Sequence, residues 1–157
     1  MTREEIIQDI QERFNKDIVD VLDKSKTRVY IEIKPQAIGK VSEHIFRKLG
    51  ARFNTATGVD ARRHMEILYH FTIEEINLLI SLRVKLDKTN LEIESIASII
   101  EGANWIEREI HELFGINFKG HPDLRKLLLS EDWPEGVYPM RRDYKEWDKK
   151  AIRDRGV

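Results

Sequence analysis

The stretch MEILYHFTIEEINLLISLRVKL (residues 65–86) decides the fold of this chain. Its odd positions are apolar from Met65 to Ile73, and after a turn near Glu74 the apolar positions become even, from Leu78 to Leu86. Alternation with a period of two is typical of strands that bury one face. Two such strands in succession predict a β-hairpin, and therefore an antiparallel part of a sheet.

Outward from this hairpin, the N-terminal half predicts two helices and three strands. Thr2 followed by Glu5 has the spacing of a capping box, which begins a helix. Pro35 suits the first turn of a second helix, and Gly50 suits its end. The predicted elements are a helix over about 2–15, a short strand over 18–22, a strand over 28–33, a helix over 35–49 and a strand over 51–60.

The C-terminal half predicts a short helix from Ser95 to Ile100, broken at Gly102. A further helix, ended by Gly115, has its apolar stripe at Trp105, Ile106, Ile110, Leu113 and Phe114. From Asn117 onward the sequence is irregular and holds three of the four prolines. We therefore predict an α+β fold: a two-layer sandwich with helices on one face of a mixed, partly antiparallel sheet, and an irregular C-terminal tail.

A length of 157 residues suits one domain. We predict an α+β domain over 1–116 and an extended C-terminal docking tail over 117–157, both parts of that single domain. The charges nearly balance, with 27 Lys and Arg against 28 Asp and Glu, so nucleic-acid binding is not expected. The N-terminus predicts no signal peptide, and no apolar run reaches the length of a membrane helix. We expect a soluble protein that meets a membrane only through partners.

Several kinds of chemistry have no support in the sequence. The absence of cysteine excludes disulfides, thiolate nucleophiles and Cys-ligated iron–sulfur clusters. The glycines form neither a dinucleotide-binding nor a phosphate-binding loop, and no serine lies in a nucleophile elbow. Glu107 and His111 could in principle share a metal, but no second ligand pair accompanies them. We favour a solvated helix face with i,i+4 pairs, Glu107–His111 and Arg108–Glu112, and predict no metal or cofactor.

The segment NWIEREIHELFGINFKGHPDLRKLLLSEDWPEGVYPMRRDY (residues 104–144) concentrates charge around aromatic and turn residues. One interpretation is a core helix with a charged outer face, followed by a surface tail. The other is a protein interface, because interfaces favour large aromatics interleaved with arginine. The end of the tail is basic: residues 141–155 hold seven Lys or Arg and four acids, a net charge of +3. This positive charge suits either an arm that lies on an acidic neighbouring protein or a segment that is simply solvated.

This segment resembles the signature of the 30-kilodalton subunit family of respiratory complex I, the NADH–quinone oxidoreductase. That family carries E-R-E on a helix, then D-x-F-G-I, F-x-G-H-P-D-L-R-R and R-K-D-Y. The matching residues here are 107–109, 113–116, Phe118, 120–126 and 141–144. His111 and Glu112 depart from the usual pattern. The run from Pro134 to Pro139 resembles instead the equivalent subunit of energy-converting membrane-bound [NiFe] hydrogenases.

The resemblance implies a non-catalytic accessory and assembly subunit that binds no cofactor. Its implied partners are the large subunit, with a quinone or nickel site, and the small iron–sulfur subunit, on the cytoplasmic face of the cell membrane. The residues implied at the interfaces are Glu107, Arg108, Glu109, Gly120, His121, Pro122, Asp123, Arg125, Arg141, Arg142 and Tyr144.

Three alternatives stay open beside a quinone reductase component. One is the equivalent subunit of a [NiFe] hydrogenase or a related ferredoxin-linked complex. Another is a free-standing acid–base enzyme that uses Glu107, Glu109 and His111. The last is a small adaptor unrelated to electron transfer.

Overall fold

A mixed five-stranded sheet lies at the centre of residues 1–145, the part of the chain that the computed structural model describes. The strand order is β1-β2-β5-β4-β3. The strands are β1 (Ile18–Ser25), β2 (Arg28–Ile33), β3 (Arg52–Asp60), β4 (His64–Ile73) and β5 (Leu78–Asp87). Strands β2 and β5 run parallel, whereas the other neighbouring strands are antiparallel. The predicted mixed, partly antiparallel sheet is confirmed.

The predicted hairpin is formed by β4 and β5, which pair along their full length. On β4 every second side chain from Met65 to Ile73 is buried, because the pleat turns alternate residues to the same face. A single 3₁₀ turn, Glu74–Ile76, joins the strands, and Asn77 closes it with a left-handed φ of 50°. The change from odd to even apolar positions therefore corresponds to this turn.

The first helix, α1 (Arg3–Arg13), begins with the predicted capping box. The Thr2 hydroxyl accepts the N–H of Glu5 at 3.2 Å, and the Glu5 carboxylate accepts the N–H of Thr2 at 2.7 Å. These contacts satisfy two backbone donors that the start of a helix leaves without partners. Ile6 and Ile10 turn inward and join the core.

The second helix is less regular than its apolar stripe suggests. A 3₁₀ turn (Pro35–Ala37) leads into α2 (Ile38–Glu43), and a π-helical turn (His44–Lys48) follows. The chain leaves the helix at Gly50, whose φ of +67° suits glycine. The predicted stripe is buried at Ile38, Val41 and Ile45.

A small second sheet was not predicted. It pairs β6 (Glu92–Glu94) with β7 (Asn117–Lys119) in parallel. Both strands have three residues, too few for a period of two to stand out. Ile93 and Phe118, at their centres, are buried, and Phe118 extends the core beyond residue 116.

The short helix predicted from Ser95 to Ile100 is wrong, because the chain there makes only a single turn. The side chains of Ser95 and Glu107 accept hydrogen bonds from backbone N–H groups of this turn. The Ser95 hydroxyl accepts the N–H of Ala97 at 3.1 Å, and the Glu107 carboxylate accepts the N–H of Ile96 at 2.8 Å. Serine competes in this way with helix formation.

The third helix, α3 (Asn104–Phe114), packs against β3. A Cβ atom at Gly58 would lie 2.7 Å from the Phe114 ring, so this close approach requires glycine. The helix ends at Gly115, as predicted, with a φ of +76°. The α+β class, with helices packed on a mixed sheet, is confirmed.

Residues 120–145 form turns and bends without helix or strand. Residues 146–157, which include most of the predicted basic end, lie outside the described residues. The division into a domain over 1–116 and a docking tail over 117–157 stays a prediction. No helix within residues 1–145 is both long and apolar enough to span a lipid bilayer.

Candidate docking surface

Glu107 lies in the interior with 0% of its surface exposed. Its carboxylate accepts the hydroxyl of Ser95 and the N–H of Ile96. Burial raises the pKa of Glu107 to about 7, although both hydrogen bonds favour the charged form and lower the pKa. The predicted solvated pair with His111 is therefore wrong, because helix α3 turns Glu107 toward the core.

His121 lies beside Glu107 and is tied to the backbone on both ring nitrogens. Nδ1 accepts the N–H of Asp123 at 2.9 Å, and Nε2 lies 3.0 Å from the carbonyl of Asn104. A carbonyl can only accept, so Nε2 carries the proton and donates it. The Glu107 carboxylate, 3.8 Å from Nε2, is a neighbour rather than the main partner of this ring. His121 thus fixes the loop after β7 to the first turn of α3.

Glu112 is also nearly buried, with 7% exposure, and it holds a stretch of the tail. Its carboxylate accepts the N–H groups of Leu127, Leu128 and Leu129 at 3.0, 2.6 and 3.4 Å. One turn earlier, Arg108 donates to the carbonyls of residues 125 and 126 at 3.0 and 2.8 Å. The predicted Arg108–Glu112 pair is wrong: both side chains bind backbone of the tail instead.

Asp123 and Arg125 form a two-point ion pair on the outside of this loop. Nε of Arg125 donates to Oδ1 of Asp123 at 2.8 Å, and Nη2 donates to Oδ2 at 2.8 Å. The hydrogen bond from Arg125 lowers the pKa of Asp123 to about 2. The side chain of Arg125 remains 83% exposed, so the pair directs a guanidinium outward.

The rest of the tail is held at its far end. Arg141 donates from Nε to the carbonyl of Phe114 at 2.7 Å, and its guanidinium lies 4.3 Å from the centre of the Tyr138 ring. Tyr144 stacks on Trp133 with 6.3 Å between ring centres. The N–H of Arg142 donates to the carboxylate of Asp60 at 2.8 Å, which joins the tail to β3.

The remaining predicted interface residues lie on the surface. Glu109 is half-buried on α3, and Gly120 and Pro122 are exposed in the loop, which enters its turn at Gly120 with a φ of +75°. Helix α3, the loop and the start of the tail thereby bring the predicted residues from 107 to 125 together. We call the outer face of residues 101–129 the docking surface. Whether it meets another subunit stays a prediction, as do the roles of Arg141, Arg142 and Tyr144 further along the tail.

The sequence interpretation missed the position of Trp105. The stripe places its side chain in the core, but 69% of its surface is exposed. Trp105, Arg108 and Glu112 share one face of α3, along which the tail residues 125–129 run. The i, i+3, i+7 spacing of these three residues indicates a shared helix face in the sequence alone. An ion pair between Arg108 and Glu112, however, explains the spacing of those two residues equally well.

The acid–base interpretation of Glu107, Glu109 and His111 has no geometric support. Glu107 has no exposed surface for a substrate to reach. Nδ1 of His111 donates to the carbonyl of Ile116 at 2.8 Å, so the ring is directed to the end of α3. Within residues 1–145 no three His, Asp or Glu side chains are grouped to hold a metal ion.

Comparison with known proteins identifies the family. The family model described as "Respiratory-chain NADH dehydrogenase, 30 Kd subunit" matches residues 31–150. The chain belongs to this family. The resemblance drawn from residues 104–144 is thereby confirmed, and it extends through most of the N-terminal part.

Relatives of this 30 Kd family member come from more than one type of complex. The chain is 31% identical over 154 residues to a subunit of the F(420)H(2) dehydrogenase of Methanosarcina mazei, a match that covers 95% of this chain and 96% of the relative. It is 29% identical over 138 residues to formate hydrogenlyase subunit 5 of Escherichia coli, covering 85% of this chain but only 24% of that protein.

The solved structures agree with this fold. A chain in the structure of the membrane-bound sulfane sulfur reductase, an archaeal respiratory membrane complex, superposes with a TM-score of 0.79. The sequence identity is 21%, and the match covers 98% of this chain and 90% of the other. At that identity the similarity shows the fold alone.

Proposed function

We propose that this chain is a non-catalytic accessory and assembly subunit of a complex I-type membrane-associated oxidoreductase. It docks onto the large subunit and the small iron–sulfur subunit, and it binds no cofactor of its own. It lies on the cytoplasmic face of the membrane and reaches the membrane only through these partners. Membership of the 30 Kd subunit family supports this role, as does the similarity to a subunit of F(420)H(2) dehydrogenase.

One observation carries the proposal: buried polar side chains of α3 and of the loop after β7 hold backbone in place rather than line a pocket. Glu107, His121 and Glu112 direct their hydrogen bonds to backbone or to a neighbouring serine. Burying a carboxylate is unfavourable unless hydrogen bonds compensate it. Here the bonds of Glu107 hold residues 95 and 96, whereas those of His121 and Glu112 fix residues 120–129, which present Asp123 and Arg125 outward.

The other proposed interface residues have two kinds of role. Gly120 and Arg142 are exposed and Glu109 is half-buried, so a partner can touch them. Arg141 and Tyr144 position the tail, since their contacts are with α3 and with Trp133. Charged groups at an interface fix the register between subunits.

A second candidate is the equivalent subunit of an energy-converting [NiFe] hydrogenase or a related ferredoxin-linked complex. The similarity to formate hydrogenlyase subunit 5 favours it, and so does the run from Pro134 to Pro139. Nickel analysis of the purified parent complex distinguishes a hydrogenase from a quinone reductase, because only the hydrogenase holds nickel.

Affinity purification from native membranes through a tag on this chain tests the proposal. We expect the large and small subunits to co-purify in equal amounts, as identified by mass spectrometry. Arg125→Ala should lose them, whereas Arg47→Ala should not. Arg47 is a matched control, because it is also an exposed arginine paired with a nearby acid, Glu43, at 3.1 Å. Recovery of the wild-type chain without either subunit would overturn the proposal.

A further inference from the structure

We infer that Trp105 and Arg125 are the anchor pair of the docking surface, and that they receive an acidic segment of a neighbouring subunit. The indole packs against apolar side chains of that segment, and the guanidinium binds an Asp or Glu carboxylate. This inference rests on the proposed function and names the chemistry of the partner. The site is a groove of about 740 Å³, lined by Glu101, Asn104, Trp105, Arg108, Asp123 and Arg125.

Trp105 supplies the apolar part of the groove. It lies on the first turn of α3 with 69% of its surface exposed. Tryptophan is among the residues most enriched at the energetic centres of interfaces. Removing its large apolar surface from water is favourable, and a rigid ring loses little conformational entropy on binding.

Arg125 supplies the charged part. Asp123 engages Nε and Nη2 of the guanidinium, which leaves Nη1 without a partner among residues 1–145. The side chain is 83% exposed, yet the two-point contact fixes its direction. Arginine binds carboxylates through several N–H groups at once, so a second carboxylate can approach the open side.

The groove is organised before any partner arrives. Arg108 holds the carbonyls of residues 125 and 126, and His121 holds the loop to Asn104. Glu112 holds the next three N–H groups. Ordering a flexible loop on binding costs free energy, and a loop that intramolecular bonds already order avoids most of this cost.

The balanced charges of the groove favour a single protein carboxylate at Arg125 over a nucleic acid or an anionic membrane. Glu101 and Asp123 lie in the groove beside the two arginines, so its net charge is close to zero. A polyanionic backbone or a layer of anionic headgroups would meet these two acids. A single carboxylate aligned with Arg125 avoids them, and the whole chain has a net charge of −1.

Photocrosslinking in the intact complex tests the identity of the partner. A benzophenone amino acid replaces Trp105 in the full-length chain, and the complex is irradiated in native membranes. We expect crosslinks to a peptide of a co-purifying subunit that contains Asp or Glu. The control is the same amino acid at Leu22, an exposed residue of β1 (48%), which should not reach that peptide. Crosslinks from 105 only to lipid, only to nucleic acid or to no subunit would overturn the inference.

Variants separate this inference from the proposed function. Trp105→Ala should weaken binding to the partner subunit at least about tenfold, as for an interface hot spot, while the thermal unfolding of the isolated chain stays unchanged. Trp105→Phe should bind the partner subunit more tightly than Trp105→Ala. Arg125→Lys should bind it as weakly as Arg125→Ala. If the wild type binds its partners and Trp105→Ala binds equally well, the inference fails and the proposed function stands. If the wild type binds neither subunit, the proposed function fails.

Discussion

The body of the molecule is residues 1–119, and the turns and bends of residues 120–145 are the described part of the tail. The two regions are held together in different ways. In the body, sheet and helix bonds satisfy the backbone, and a continuous apolar core fills the space between layers. In the tail, side chains of α3 bind the backbone directly, as Arg108 and Glu112 do. The body therefore gains its stability from buried area, whereas the tail gains its shape from a few polar anchors.

The largest expected effect lies in the body. Ile31→Ala removes a fully buried side chain at the centre of β2. It should lower the free energy of unfolding by about 3–4 kcal/mol, through lost burial and the cavity left behind. Urea denaturation measures this. The matched tail change, Leu128→Ala, removes a side chain that is 63% exposed and should cost less than about 0.5 kcal/mol. Equal losses would remove the contrast between the two regions.

The second prediction concerns the pH dependence of stability that Glu107 causes. This residue lies where the body and the tail meet. Its pKa of about 7 in the folded protein lies above the ordinary value of 4.5. The folded state thus binds the proton of Glu107 more tightly than the unfolded state does. The resulting contribution to stability is fully present below pH 4.5 and is lost as the pH rises through 7. The loss is on the order of 3 kcal/mol.

Glu107→Gln isolates this effect. Glutamine keeps an acceptor for Ile96 and cannot ionise, so the variant should lack the decline and exceed the wild type in stability above about pH 7.5. Urea midpoints of both proteins from about pH 5 to 8 measure the difference. The same decline in the variant would show that another group causes it.

The third prediction concerns the tail alone. Glu112→Ala removes the acceptor of three N–H groups and should open residues 126–130 at a local cost of about 2 kcal/mol. The global unfolding transition should shift much less, because the core is untouched. Hydrogen exchange and limited proteolysis at these residues measure the opening. A large shift of the global transition with no faster exchange at Leu127–Leu129 would contradict the account.

Among the predicted losses of polar contacts, the smallest is expected at the end of the tail. Arg141→Lys loses the Nε donor to Phe114 and the flat contact with Tyr138. The expected cost is about 1 kcal/mol of local stability, seen as faster hydrogen exchange around residues 138–141. Unchanged exchange there would mean that neither contact holds the tail.

The same contrast explains which elements the sequence predicts. The hairpin, α1 and α3 follow from periodicity and caps, since each element buries one stripe or face. The helix expected at Ser95–Ile100 does not form, because side chains of Ser95 and Glu107 take its donors. The three-residue strands β6 and β7 are too short to show a pattern.

The tail is harder to predict because its contacts are polar and distant in sequence. The spacing of Glu107, Arg108 and Glu112 also fits a solvated helix face, since i,i+4 pairs explain it equally well. Their burial depends on where residues 95–97 and 120–129 lie, which no local pattern specifies. The family signature located the surface, but only the fold showed that Trp105 points out of it.

Hydroxyl-radical footprinting of this chain, free and within its parent complex, tests the central claim most directly. It measures side-chain exposure residue by residue. We predict that oxidation of Trp105, Leu128 and Pro122 falls strongly in the complex, while Met1 and Leu22 on the body are oxidised as before. Protection confined to the body, with Trp105 and Leu128 still oxidised at the free rate, would contradict the account.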